Sequence, residues 1–435
     1  MRAYCALFFL LFVTVPAYSV DAERLRLIVS TDIGGTDPDD LQSMVHLLLY
    51  ADTFDIEGLI SSPFGPGRKK HILNIISLYE KDYPFLSAHS NQYPTPATLR
   101  EITKQGETEL APFQGYRNRT EGSQWIIKRA RVKDPRPLHL LVWGGLEDLA
   151  QALHDAPDIL PKLRVYYIGG PNKKWSPDAY HYIATHHPKL WLIESNATYR
   201  GWFVGGNQEG EWGNKAFVST HIAGHCALGN YFTSLLDGTM KMGDTPSVAR
   251  LLNGNPEDPS QPSWGGEYVR AWPRPYRVFK GFTTEKDTIE EFGIAEIVLP
   301  LGETGIPQAQ QNVSATMHIE NQALVGFVDN NNLRFRFSPK AARPFLYTIK
   351  STDLTLNGKT GVLTAIPTNP EAASIPAINL PHWWVDNPTT VYSEGPHIGA
   401  KTVSRWRKAY LNDFAKRLQR CQTPSVTTPP LENLQ

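Results

Sequence analysis

Cysteine is scarce in this chain: 435 residues hold three, Cys5, Cys226 and Cys421. That excludes a disulfide-dense scaffold and any zinc module built on cysteine ligands. An excess of one charge is missing too. Lys+Arg and Asp+Glu both number 43, for a formal net charge of zero. There is no basic tract, and the histidines show no clean metal spacing, so a nucleic-acid-binding surface is not indicated. Long apolar runs are also lacking. The longest, residues 6–15, falls short of the roughly 18 residues that a membrane-spanning helix needs. No internal repeat is visible.

That short apolar run has a different use. Arg2 precedes it, and Ala17-Tyr18-Ser19 follows with small residues placed for cleavage. Residues 1–19 therefore read as a secretory signal, with Val20-Asp21-Ala22 as an alternative site. Export leaves Cys226 and Cys421, which an oxidising compartment permits to pair. Asn118-Arg119-Thr120, Asn196-Ala197-Thr198 and Asn312-Val313-Ser314 match the glycosylation sequon, meaningful only in a eukaryotic host.

Residues 20–305 alternate short apolar runs with helical stretches. Strands are expected at 26–31, 55–62, 138–143, 164–168 and 190–193, and helices after 40, at 71–79 and at 146–153. This pattern implies an α/β fold with a mostly parallel sheet. Residues 306–380 differ. Leu333, Phe335 and Phe337 alternate with Arg334 and Arg336, and Asn330, Asn331 and Asn357-Gly358 mark turns, predicting a small β-sandwich-like module and connector. Residues 381–435 carry an amphipathic helix with Val403, Trp406, Tyr410 and Phe414 on one face, expected to dock on a neighbouring domain.

The chemistry concentrates in Asp32-Ile33-Gly34-Gly35-Thr36-Asp37-Pro38-Asp39-Asp40. Four carboxylates sit on one strand-to-helix turn, between the apolar run Leu27-Ile28-Val29 and the helical spacing of Leu41, Val45, Leu48 and Leu49. Carboxylates this dense repel unless a cation or protons neutralise them. Hard oxygen donors suit Ca²⁺ or Mg²⁺. An acidic, solvated helix cap is the plainer reading. Gly243-Asp244-Thr245-Pro246-Ser247 is a second acidic turn, by itself a helix cap. Trp264, in Pro262-Ser263-Trp264-Gly265-Gly266, is either a ring platform for a sugar or base, or core. The loosely clustered His181, His186, His187, His221 and His225 offer one group that titrates in the range useful for protonating a leaving group. Gly358-Lys359-Thr360 is no phosphate loop, since Asp353 stands where glycine is needed.

The strand, then Thr31-Asp32, Gly34 and Asp39-Asp40, resembles the turn of nucleoside hydrolases. Val142-Trp143-Gly144-Gly145-Leu146 looks like their second metal-site turn. Together with Gly243-Asp244-Thr245-Pro246-Ser247 and Ser263-Trp264-Gly265-Gly266, these motifs resemble the secreted cellulose-binding branch with a nucleoside-hydrolase-like domain. The resemblance implies that fold and a Ca²⁺ site holding a sugar diol and a water. It implies Asp32 as ligand and base on that water, Asp40 and Asp244 as ligands, and the Trp143 carbonyl as another. Asp39 would bind a sugar hydroxyl, and Asn196, in Glu194-Ser195-Asn196, would bind substrate. Asp39 comes seven positions after Asp32 where the family spacing is four, and Asp37 competes for the role of Asp32. The expected function is a secreted, calcium-dependent hydrolase of N-ribosyl-type glycosyl bonds acting on a small glycoside or nucleoside. The alternative is a non-catalytic protein binding cellulose or another plant polysaccharide.

Overall fold

The computed structural model describes residues 23–422 apart from 63–66, 274–275 and 303–312. The expected signal at 1–19 and Asn312 lie outside the described residues. The main sheet is built from β1 (Leu25–Thr31), β2 (Phe54–Ser61), β3 (Thr103–Gln105), β4 (Leu138–Val142), β5 (Leu163–Ile168), β6 (Leu192–Ser195), β7 (Tyr268–Arg270) and β17 (Trp383–Asp386). Their order is β3-β2-β1-β4-β5-β6-β17-β7, parallel except for the β17–β7 pair. Helices cover both faces, so the central strands are buried almost throughout and mostly apolar, with Arg26, Ser30, Thr31 and His139 as the buried polar exceptions in β1 and β4. All of β4 and everything after Leu25 in β1 is buried.

Helix α1 (Asp39–Leu49) follows the acidic loop, and α2 (Lys69–His89) runs ten residues past the expected end at Tyr79. The polar stretch Glu80-Lys81-Asp82 and Pro84 hides that continuation. Asp82 is turned inward, where its carboxylate accepts the Ala227 and Leu228 amides at 2.9 and 2.8 Å and caps the helix Ala227–Ser234. The sulfurs of Cys226 and Cys421 stand within 4.8 Å of each other and of Asp82 oxygen, as free thiols.

The β-rich unit starts before residue 305. It comprises β8 (Tyr276–Lys280), β9 (Thr288–Glu290), β10 (Ile294–Pro300), β11 (Ala315–Ile319), β12 (Gln322–Val325), β13 (Phe327–Asp329), β14 (Asn332–Phe337), β15 (Pro344–Ser351) and β16 (Thr360–Ile366). Two sheets, β13-β14-β10-β8 and β12-β11-β15-β16-β9, enclose one core that includes Ile297, Phe335, Phe337 and Tyr347. Asn330 supplies the positive φ, 51°, of the turn into β14.

The C-terminal segment returns to the α/β unit. β17 enters the main sheet beside β6. Tyr410, Phe414 and Leu418, on the helix Arg407–Gln419, join the same core as α1 and β1. Tyr410 stacks on Trp202 with centroids 3.8 Å apart. Trp406 is half-buried at the helix start and packs against the same core. No helix among the described residues is long and apolar enough to cross a membrane.

Candidate metal centre

The strand order in the sheet reverses at β1: β2 lies on one side and β4 on the other. The crevice outside the carboxyl ends of two such strands is where open α/β sheets bind ligands. The acidic loop leaves β1 there, and Trp143-Gly144 leaves β4, with the Trp143 amide donating to the Ser30 carbonyl at 2.7 Å. Two glycines allow the close approach. Gly34 has φ +86°, and a Cβ on Gly144 would lie 2.8 Å from the Asp32 Cβ.

The second acidic turn is brought in by α1. Gln42 accepts the Lys241 amide at 2.9 Å and donates to the Thr239 carbonyl at 2.9 Å. The Asp244 amide donates to the Ser43 hydroxyl at 3.3 Å, and the Gly243 amide to the Asp39 carboxylate at 3.1 Å. As a result one oxygen each of Asp39, Asp40 and Asp244 fall within 4.8 Å of one another, all three residues buried. Asp244 heads the helix Thr245–Leu252 without capping it through its side chain. Its Oδ2 is buried with no hydrogen-bond partner among the described residues.

Asp32 joins this group beside Asp40, near enough that each carboxyl acts on the other. Burial, followed by the Asp39 charge, raises the Asp32 carboxyl to about 7. Burial and neighbouring carboxylates also push Asp39, Asp40 and Asp244 well above the ordinary range. The Thr31 hydroxyl donates to Asp40. Lys241 is the nearby cation. It pairs with the half-exposed Asp37 and stands 3.5 Å from Asp39. Hydrogen bonds with Asp39 and Lys241 hold Asp37 below the ordinary value against the opposing effect of burial. An orphaned buried oxygen among acids with only oxygen donors fits a hard divalent cation.

The other expected residues fall around this centre in different ways. The Trp143 carbonyl accepts the Asn172 amide at 3.0 Å, and its indole donates to Ser247 at 2.7 Å. Glu194 is fully buried and paired to Lys173 at 2.7 Å. Asn196 donates to that same carboxylate at 2.8 Å, and its Oδ1 has no hydrogen-bond partner. Asn196 is buried, so its sequon is inaccessible in the folded chain. Trp264 is half-buried against the main core. The histidines at 181–225 hold other contacts: His181 stacks on Tyr276, and His221 lies 2.9 Å from Glu211. His71 is the imidazole beside the acidic loop. A Cβ on Gly34 would meet its ring at 2.1 Å. Neither His71 nor Lys241 has a sequence signal, because each is placed by packing of a distant segment.

A family model described as "Cellulose-binding Sde182, nucleoside hydrolase-like domain" matches residues 26–268, more than half of the chain. The chain belongs to this family. The matched stretch contains the acidic loop, Trp143 and Asp244. Among solved structures, the chain is similar to a nucleoside hydrolase-related protein of Saccharophagus degradans associated with carbohydrate metabolism. Identity is 19%, covering 80% of this chain and 100% of that one, with a TM-score of 0.48. It is also similar to the Bacillus anthracis inosine-uridine preferring nucleoside hydrolase, at 17% identity over 53% of this chain and 82% of that one, TM-score 0.33. A plant nucleoside hydrolase shows 15% identity over 58% and 84%, TM-score 0.33. No curated protein matches. At these identities the relatives' activities do not transfer, and the chemistry must come from this chain's own residues.

Proposed function

We propose that this protein is a secreted, calcium-dependent hydrolase of glycosyl bonds. The observation that carries the reading is the buried Asp244 Oδ2, unpartnered among the carboxylates of Asp32, Asp39 and Asp40. Such a cluster costs stability without a counter-ion, and a binding protein without a metal has no need of it. Asp32, Asp40, Asp244 and the Trp143 carbonyl would hold Ca²⁺. When bound, the ion lowers the pKa of an attached water and offsets the carboxylate repulsion. Asp32, at the strand end, takes the proton of the attacking water on its carboxylate. Asp39, tied to the Gly243 amide and near Lys241, is set to accept a sugar hydroxyl. Asn196, with its Oδ1 free, and the half-buried Trp264 are the further substrate contacts of this reading. The bond broken would be one whose anomeric carbon tolerates oxocarbenium character. Cellulose is an extracellular polymer, so the family description and the signal-like N-terminus support export together.

The second reading, carbohydrate binding without catalysis, is favoured by the family's cellulose-binding description. A panel of nitrophenyl glycosides and nucleosides, assayed with and without chelator beside calorimetric Ca²⁺ titration, separates the two. Hydrolysis that stops with chelator and in Asp32→Ala and Asp40→Ala is the expected result. Ca²⁺ binding with no hydrolysis of any substrate, but retention on cellulose or xylan, would establish the second reading. Chelator-insensitive hydrolysis would overturn the metal assignment.

A further inference from the structure

A groove of about 770 Å³ lies at the junction of the α/β unit and the β-rich unit. Small-molecule sites span roughly 300–1,000 Å³, so it has room for a short oligosaccharide. Its lining comes from segments far apart in sequence: the segment after β6, the turn before β10, the turn between β14 and β15, the connector after β16, and the loop after β17. It also neighbours the acidic centre. Arg200 lines the groove, whereas the adjacent Tyr199 packs toward Gly243, 3.6 Å from where a Cβ on that glycine would be.

The charges in this groove are unbalanced. Arg200 and Lys340 both line it, and neither makes a hydrogen bond or ion pair among the described residues. The Arg200 guanidinium rests over the Tyr199 ring, 5.4 Å from its centroid. Behind them, Lys174 and Arg343 both pair with Glu320, whose charge those two cations already offset. Glu291 is the acid in the lining, and its carboxylate accepts the Thr368 amide. His397 also lines the groove, and burial and Arg200 favour its neutral form. Burial, then Lys174, with Arg200 and Arg343 also nearby, pushes Lys340 down against the opposing charge of Glu320. The walls include Pro367, Pro370, Pro388 and Pro396, rigid apolar faces able to pack on the C–H face of a sugar ring.

We propose that this groove binds an acidic oligosaccharide, with Arg200 and Lys340 engaging the carboxylate of a uronosyl residue. The proposal rests on the extracellular-carbohydrate reading above and names the ligand class beside the acidic centre. Charge-assisted hydrogen bonds from two otherwise unpartnered cations would supply selectivity over neutral glucans.

The test is calorimetry on the full chain, in chelator so that Ca²⁺ cannot bridge uronates. Trigalacturonate, cellotriose and inorganic phosphate are the probes. Trigalacturonate is expected to bind the unmodified chain with an affinity that falls as salt rises. It should bind about tenfold more weakly to Arg200→Gln/Lys340→Gln, with circular dichroism reporting that the variant is folded. Equal binding of cellotriose, or no loss in the double variant, would overturn the proposal. Phosphate binding as tightly as trigalacturonate would reduce the groove to an anion site without sugar recognition and overturn it as well. Asp40→Asn distinguishes the two readings. It should lose hydrolysis while keeping trigalacturonate binding, so either can fail without the other.

Discussion

Two buried acidic sites lie at the carboxyl ends of the same sheet and treat charge in opposite ways. At the end of β6, the Glu194 carboxylate meets Lys173 at 2.7 Å, the Tyr180 hydroxyl at 2.8 Å and the Asn196 amide at 2.8 Å. Beyond β1 and β4, four carboxylates converge on each other, Lys241 reaches only the outer pair, and Asp244 Oδ2 has no partner. Both arrangements are buried, so desolvation alone does not separate them. Internal compensation does. A charge whose counter-charge is supplied by the chain is a structural element, and one left to repel its neighbours awaits something from outside.

The largest expected effect comes from breaking the compensated site. Lys173→Met leaves Glu194 buried and unpaired and should destabilise by about 3–5 kcal/mol in denaturant unfolding. Asp244→Asn, measured the same way in chelator, should be neutral or stabilising, because burial and the neighbouring acids already disfavour the charged form of that carboxyl. Equal losses in the two variants would erase the distinction between the sites.

Next is the cation itself. Ca²⁺ at about a hundred times its dissociation constant should stabilise the unmodified chain by ~2.7 kcal/mol. It should do nothing for Asp40→Asn or Asp244→Asn. A comparable rise in melting temperature in all three proteins would place the ion elsewhere.

The pH dependence sharpens the same contrast. Asp32 has a folded value of about 7 against an ordinary 3.8. The native state therefore holds a proton that the unfolded state has lost between those values. In chelator, this contribution is fully present below about pH 4 and is lost as pH rises through 7. His46 and His139 act in the opposite sense. Burial lowers both to about 3, so their contribution is complete above pH 6.5 and is lost as pH falls toward 3. Only the first slope should flatten when Ca²⁺ is added. A chelated protein whose stability does not fall between pH 5 and 8 would contradict the raised Asp32 value.

The smallest effect is expected at the rim. Asp37 is half-exposed, and its pairing with Lys241 is solvent-screened. Asp37→Ala should change stability by no more than about 1 kcal/mol and leave Ca²⁺ affinity within a few-fold. A loss as large as that of Asp32→Ala would exchange the roles of the two aspartates.

Much of this was legible in the sequence because it is local. The apolar run before Asp32, the helical spacing after Asp40 and the alternation at 333–337 each follow from a period of side chains along one element, and each element formed where its pattern placed it. The acidic loop was likewise visible, since its carboxylates are neighbours in the chain.

Tertiary structure alone decided what meets that loop. Asp244 has the same sequence character as any helix-heading aspartate, and it reaches the cluster only because Gln42 and Ser43 of α1 hold residues 239–244 against it. Glu194 is neutralised by Lys173, which a separate helix folds onto it. The C-terminal strand β17 completes a sheet begun some 350 residues earlier, by a pairing no periodicity encodes. Periodicity records which face of an element is dry. Which charges share that dry space depends on contacts between segments remote in the chain, and only the folded arrangement sets them.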